Sequence, residues 1–295
     1  MDSWWLYWFL DSHAIPGMED MTRDGRRWRY RRTMSLPHGP ALVTIQPGPD
    51  DASRGHISVR LEHLDMRDLA VAVNRIRRLL DLDADVVAAD TALSAAPVLG
   101  PIVEQRTGIR VPGSVDPAET LIRTMIGQQI SVKAARHHIA TLVTELGTTP
   151  SWSDDHPWRL FPTAAAVAEH GREVLRGPTA RIDSIVRVAG RLASNSMELH
   201  EGMRASDIQA NLLGEFGIGR WTADYVAMRV TGDPDILLDR DLVVAQSAAD
   251  LGLDLTTSAP KWAPWRSYAS MHLWRHRLAA THPVLSNNPD QEMTT

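Results

Sequence analysis

The sequence contains no cysteine, which excludes disulfides, a thiolate zinc site and a cysteine-held iron–sulfur cluster. Lysine is reduced to Lys133 and Lys261, while arginine and alanine are abundant. That bias reports a genome rich in G and C, not a function. No apolar run approaches the roughly twenty residues that a membrane-spanning helix needs. The N-terminal WWLYWFL has neither a preceding basic region nor a small-residue cleavage site, so it does not read as a signal peptide. A cytoplasmic location is the simplest expectation. Positive charge is also in short supply, with a formal net charge of -5 over 295 residues. Affinity for DNA rests largely on neutralised phosphates, so any grip on nucleic acid has to come from local features. One candidate is the basic run Arg23, Arg26, Arg27, Arg29, Arg31 and Arg32, which reads either as a solvated strand face or as a DNA contact.

What is present divides the chain. Residues 4 to 14 form an aromatic helix with Trp5, Trp8 and Phe9 able to share a face. Strands are expected over residues 28–35, 41–46 and 56–61, separated by Pro- and Gly-containing stretches, and a helix follows over residues 65–82. Strands with a covering helix make a small α+β domain, residues 1–82. Beyond it the strand signals disappear. Asp116-Pro117-Ala118-Glu119 is a helix start with Asp as cap, Pro at the first position and Glu at the third. Ser131 opens a long helix that stops at Gly147, and helices are expected over residues 163–170, 179–193, 206–213, 221–230, 242–251 and 264–278. The polar tail from Pro283 to the end, 283–295, reads as loose. The fold class is mainly α with a small N-terminal α+β domain, the body occupying residues 83–282.

The stretch LLGEFGIGRWTADYVAMRVTGDPDILLDRD, residues 212–241, concentrates the chemistry. Gly217 and Gly219 join two helices and let a backbone come close to a ligand. The amides opening the second helix have no intrahelical acceptor and suit an anion such as a phosphate. A plain helix–helix turn that needed small residues is the alternative. The apolar Ile236-Leu237-Leu238 then leads into Asp239-Arg240-Asp241 and a new helix at Leu242. This is a good way to hold an acid in a partly dry cleft. Asp241 also reads as an ordinary helix cap, and Asp239 is the fallback acid.

At these residues the sequence resembles the helix-hairpin-helix DNA glycosylases, with the hairpin over residues 206–230. The resemblance to the bacterial alkylbase glycosylases of the 3-methyladenine DNA glycosylase II family extends over nearly the whole chain. It is carried by LDSHAIPGMED, RVPGSVDPAETLIRTMIGQQISVKAA, LLGEFGIGRWTADYVAMR and KWAPWRSYASMHLW. The resemblance implies an N-terminal α+β domain packed on a helical body of two subdomains, with the active cleft between them. The family pattern has a further strand and a Pro-Pro-Tyr-like segment before the first helix, so this sheet either lacks an edge strand or the start has been trimmed. Relatives in G+C-rich bacteria are often fused to an alkyl-transfer regulator. The implied setting is a bacterial, nucleoid-associated monomer acting on duplex DNA that contains alkylated bases.

The resemblance makes Asp241 the catalytic acid, since the family's aspartate stands about twenty residues beyond the hairpin. It places Phe9, Trp221, Tyr225, Leu242 and Trp274 around the substrate base; Leu242 is aromatic in some relatives. It assigns Gln129, Gly217, Gly219, Arg220 and Thr222 to DNA binding. Gln129 stands where some relatives carry an apolar leucine wedge, and Phe216 where the hairpin often has proline. The main-chain carbonyls of Leu213, Glu215 and Ile218 are implied ligands of a monovalent cation, Na or K; no other cofactor is implied. A cation-like sugar needs a nearby negative group and a positioned water, which Asp241 supplies. Electron-rich rings attract a positively charged base, which must first leave the helix stack. Relatives that also cut the strand carry a hairpin lysine where this chain has Trp221. No amine for a Schiff base is then available, and the reading is a monofunctional glycosylase of alkylated purines. The alternatives are a non-catalytic hairpin protein that binds damaged DNA, and a glycosylase for another class of damaged base.

Overall fold

The computed structural model describes residues 1–25, 27–47, 56–153 and 158–285. Helix α1 (Ser3–His13) leads into an antiparallel sheet of β1 (Glu19–Asp24), β2 (Arg27–Leu36), β3 (Gly39–Pro47) and β4 (Ile57–Glu62), paired in chain order. The pleat sets which residues are buried. Trp28, Tyr30, Met34 and Leu36 of β2 are buried with Ala41, Val43 and Ile45 of β3, and Tyr30 sits opposite Ile45. Helix α2 (Leu69–Leu79) covers this face with Ala72, Ile76 and Leu79. Strand β1 was not expected. Its EDMTRD sequence has almost no apolar content and its outer half is exposed, so alternating hydrophobicity could not reveal it. It pairs with β2 along one edge of the sheet.

Most of the arginine run belongs to this sheet. Arg27 and Arg29 lie on the exposed face of β2. Arg23 lies over the Trp4 and Tyr7 rings, and Arg31 pairs with Asp20 at 2.7 Å while stacking over Trp158. Arg26 lies outside the described residues. Arg32 turns inward and is only 3% exposed. It binds Glu119 at 2.8 Å and Glu19 at 3.4 Å, and Arg123 binds the same two carboxylates at 2.8 and 3.2 Å. Tyr30 donates to Glu19 at 2.6 Å. Burial alone would raise the Glu19 pKa, but Arg123 and Arg32 outweigh it and hold the carboxyl below its ordinary value. Two cations and two anions thus close on each other between sheet and helical body. Removing one partner of such a buried set leaves a charge uncompensated. Glu119→Gln is expected to destabilise the protein by about 3–5 kcal/mol, read from chemical denaturation. A loss below about 1 kcal/mol would mean that the network is dispensable. Because the Glu19 pKa is lowered on folding, its contribution is present at neutral pH. It is lost as pH falls through the folded pKa.

Helices α3 (Val86–Ser94) and α4 (Gly100–Gln105) follow, both absent from the sequence expectation. They are short, and α4 carries Pro101 in its first turn. The body then runs α5 (Pro117–Gly127), α6 (Val132–Leu146), α7 (Ala164–Val174), α8 (Thr179–Ala193), α9 (Ala205–Leu213), α10 (Arg220–Thr231), α11 (Leu242–Asp250), the single turn α12 (Leu255–Ser258) and α13 (Arg266–Ala279). The expected caps are in place. Asp116 accepts from Glu119 N at 2.9 Å and Ser131 from Ala134 N at 3.2 Å. Among the described residues no helix is long and apolar enough to cross a membrane.

Helix α1 joins the two cores. Leu6 and Leu10 pack into the sheet core, while Trp5 and Phe9 enter the helical core. The expectation of a loose tail from Pro283 needs correction. Pro283–Leu285 forms a 3-10 turn, and Leu285 is buried in the helical core with its carbonyl accepting from Arg275. One apolar residue with a place in the core outweighs the polar composition around it. Residues 286–295 lie outside the described residues.

Candidate active site

Asp241 is held from three directions. It caps α11, its Oδ1 accepting from Val243 N at 2.9 Å and Val244 N at 3.1 Å. The same oxygen accepts from the Trp274 indole at 2.7 Å, and Oδ2 accepts from the Trp221 indole at 2.9 Å. The loop that delivers it is fixed by α13. Ser267 Oγ accepts from Ile236 N at 2.9 Å, Ser270 Oγ accepts from Leu238 N at 3.1 Å, and Arg266 pairs with Asp235 at 2.7 Å. Ser267, Ser270 and Trp274 are spaced three and four residues apart, so they present one helix face to the loop. Asp241 is 7% exposed and lines the cavity. Asp239, the fallback, is exposed and is not among the lining residues. Three donors occupy Oδ1 and one occupies Oδ2, so the remaining acceptor capacity of the carboxylate is on Oδ2.

The cavity has a volume of about 680 Å³, and Phe9, Trp221, Tyr225, Leu242 and Trp274 all line it. Trp221 and Tyr225, one helical turn apart on α10, stack with ring centroids 5.4 Å apart and planes 8° from parallel. Tyr225 and Trp274 lie 6.2 Å apart. Phe9 reaches the cavity from α1 and stacks on His13 at 4.4 Å. Burial pulls the His13 pKa down to about 4; the Phe9 carbonyl partly opposes this, and Arg229 and Arg123 add to it. The ring is therefore neutral at neutral pH. Leu242 is 69% exposed and sits at the mouth, not among the rings.

The hairpin contributes Gly217 and Gly219 to the lining of the cleft. Gly217 has φ +86° and Gly219 caps α10 in an extended conformation, φ -90°. A Cβ at Gly217 would collide with the Ser184 hydroxyl, whereas one at Gly219 would meet no protein atom within 4 Å. Gly217 is thus required by the fold, and Gly219 keeps a surface open. Ser184 and Arg187 of α8 donate to the Phe216 carbonyl, and Arg191 pairs with the buried Glu215. Phe216 itself is 69% exposed beneath Arg187, at 5.5 Å. Gln128 Nε2 donates to Thr222 Oγ1 at 2.8 Å and to the Gly217 carbonyl at 3.2 Å. Thr222, 2% exposed, thereby ties the hairpin to the α5–α6 loop at the edge of the cavity. Arg220 is exposed, with Asp224 at 3.3 Å. Gln129 is exposed at the cavity mouth with φ +59°. That backbone disfavours a non-glycine residue and turns Gln128 inward while Gln129 points out.

The carbonyls implied as cation ligands are a compatible set of hard oxygen donors. The Glu215 carbonyl accepts from Ile218 N at 3.2 Å, which leaves it a second lone pair. Among the described residues no group of three His, Cys, Asp or Glu side chains could hold a metal ion.

Sequence reasoning missed His13, Gln128, Arg229 and Arg240, all of which line the cavity. A signal for Arg229 was present: Trp221, Tyr225 and Arg229 recur every fourth residue on one face of α10. The pairing of Gln128 with Thr222 spans 94 residues and has no local signature.

The helix-hairpin-helix, the capped aspartate over an aromatic cavity and the antiparallel sheet in front form a fold shared with solved DNA glycosylase structures. A solved structure of 3-methyladenine DNA-glycosylase from Archaeoglobus fulgidus superposes with a TM-score of 0.76 at 20% identity, covering 93% of this chain and 95% of that one. More particularly, residues 1–116 match the AlkA N-terminal domain model, and the resemblance to 3-methyladenine DNA glycosylase II is borne out. The chain is 38% identical over 293 residues to a "Probable bifunctional transcriptional activator/DNA repair enzyme AlkA" of Mycobacterium tuberculosis, covering 98% of this chain and 57% of that protein. It is 26% identical over 275 residues to DNA-3-methyladenine glycosylase 2 of Escherichia coli, covering 92% of each. The chain thus spans little more than half the length of the first of these relatives.

Proposed function

We propose that the chain is a monofunctional DNA glycosylase that flips alkylated purines out of duplex DNA and removes them by hydrolysis. The observation that carries this reading is Asp241, a carboxylate in an aromatic cavity with two indole N–H groups on it. The bond from the sugar C1′ to the base breaks with its electron pair leaving on the base, which a prior positive charge makes a good leaving group. The Asp241 carboxylate stabilises the cation-like sugar, and Oδ2 accepts a proton as water adds to C1′. The free amides at the start of α10 suit a DNA phosphate. The Leu213, Glu215 and Ile218 carbonyls would hold a monovalent cation, which supplies positive charge beside that phosphate. Gln129 is the candidate to fill the gap left by the flipped base, partly by hydrogen bonding. The protein acts in this reading as a monomer.

The hydrolytic claim is supported by two observations: among the described residues no lysine lines the cavity, and Trp221, at the position that the resemblance gives the lyase lysine, donates its N–H to Asp241. Incubation with alkylated duplex is expected to yield abasic sites in unbroken strands until alkali is added. A covalent enzyme–DNA species trapped by borohydride would overturn the monofunctional assignment.

A further inference from the structure

The loop between α5 and α6 is fastened on two sides at Gln128. Arg181 of α8 donates to the Gln128 carbonyl at 2.8 Å. The Gln128 side chain reaches the other way, its Nε2 donating to Thr222 Oγ1 at 2.8 Å and to the Gly217 carbonyl at 3.2 Å in the hairpin. The hairpin is held by the same helix, since Ser184 and Arg187 donate to the Phe216 carbonyl and Arg191 pairs with Glu215. Arg181, Ser184, Arg187 and Arg191 stand three or four residues apart, so one face of α8 carries all of these contacts. Gln129 comes next in the chain, exposed at the cavity mouth with φ +59°. A non-glycine residue stays in that left-handed conformation only where its surroundings enforce it. Hydrogen bonds to the carbonyl and from the side chain of the residue before it supply the enforcement.

Loop and hairpin are thus held as one piece, with the Gln129 side chain at a set distance from the amides that open α10. A hairpin seated on a phosphate then presents Gln129 at a set position along the strand. From this we infer that Gln128 is a positioning residue, which ties the phosphate grip to the side chain that replaces the extruded base. Gln129 is then in place when the base leaves the stack, and no binding energy is spent on ordering the loop. The inference rests on the glycosylase reading above and on the parts that it gives the hairpin and Gln129.

Single-turnover base release tests it on two duplexes that each hold one 7-methylguanine. In the first the lesion is paired with cytosine. In the second the lesion and its two neighbours face non-complementary bases, so little unpairing energy is left for the protein to supply. Gln128→Met keeps the side-chain length and removes both donated hydrogen bonds. It is expected to raise the ratio of unpaired to paired release about ten-fold over the wild type, the size of two lost hydrogen bonds. Arg181→Met frees the other side of the loop and is expected to raise the same ratio about three-fold. If Gln128→Met does not fold, Gln128→Glu, which keeps an oxygen and loses both donors, carries the comparison. A role in stability alone slows release from both duplexes equally. An unchanged ratio in the Gln128 variants therefore overturns the inference while the glycosylase reading stands. Release from neither duplex by the wild type overturns both.

Discussion

Asp241→Asn is expected to reduce base release by about a thousand-fold or more, with folding and binding to abasic DNA nearly intact. The loss combines a charge beside the cation-like sugar with a proton acceptor for water, each worth about 10² to 10⁴ in rate. The fold survives because asparagine caps a helix about as well as aspartate does. The Val243 and Val244 amides and the Trp274 indole, which all use Oδ1, keep an acceptor. The Trp221 indole, which uses Oδ2, then faces an amide N–H₂ and loses its partner, at a cost of about 1–3 kcal/mol. A fluorescence change of Trp221 without unfolding would accompany the loss. Release near wild type in Asp241→Asn, together with loss in Asp239→Asn, would move the chemistry to the exposed neighbour.

Gly219→Val is expected to weaken binding to a duplex with an abasic-site analogue by about 10²-fold, the effect of losing a close backbone approach to one phosphate. The substitution is informative because a Cβ there meets no protein atom within 4 Å and the backbone is extended. Thermal stability is therefore expected to stay close to wild type. Gly217→Val differs: its φ of +86° and the Ser184 hydroxyl make it a folding defect. Salt dependence separates the hairpin from the arginines. Each phosphate neutralised by a full charge adds about 0.9 to the slope, while amides carry no full charge. A shallow wild-type slope of roughly two to four phosphates, barely altered in Gly219→Val, is expected. A steep slope with unimpaired Gly219→Val binding would shift the grip to the exposed Arg27 and Arg29.

The elements legible in the sequence were those with local causes. Ser131 and Gly147 bracket α6, Asp116 and Pro117 start α5, and α8 runs over the expected Thr179–Ala193, because caps and helical periodicity are written within a few residues. Strand β1 was not legible. It is a polar edge held by pairing with β2, and its Glu19 is buried only because Arg32 and Arg123 come from elsewhere. At the site, the positions of Asp241 and its rings were visible through resemblance, and spacing along α10 aligned Trp221 with Tyr225. That the two indoles would donate to Asp241 depends on α13 folding back over residues 236–241, a long-range event without a local pattern. The contact of Gln128, from the α5–α6 loop, with Thr222 was not legible for the same reason.

The most direct test is release of free base by the purified wild-type chain from duplex DNA treated with a methylating agent, with the released bases separated and counted against alkali-labile sites. Free methylated purine in one-to-one proportion with new abasic sites is expected. Tight binding to the damaged duplex with no base released would contradict the assignment and leave a hairpin protein that recognises damage without removing it.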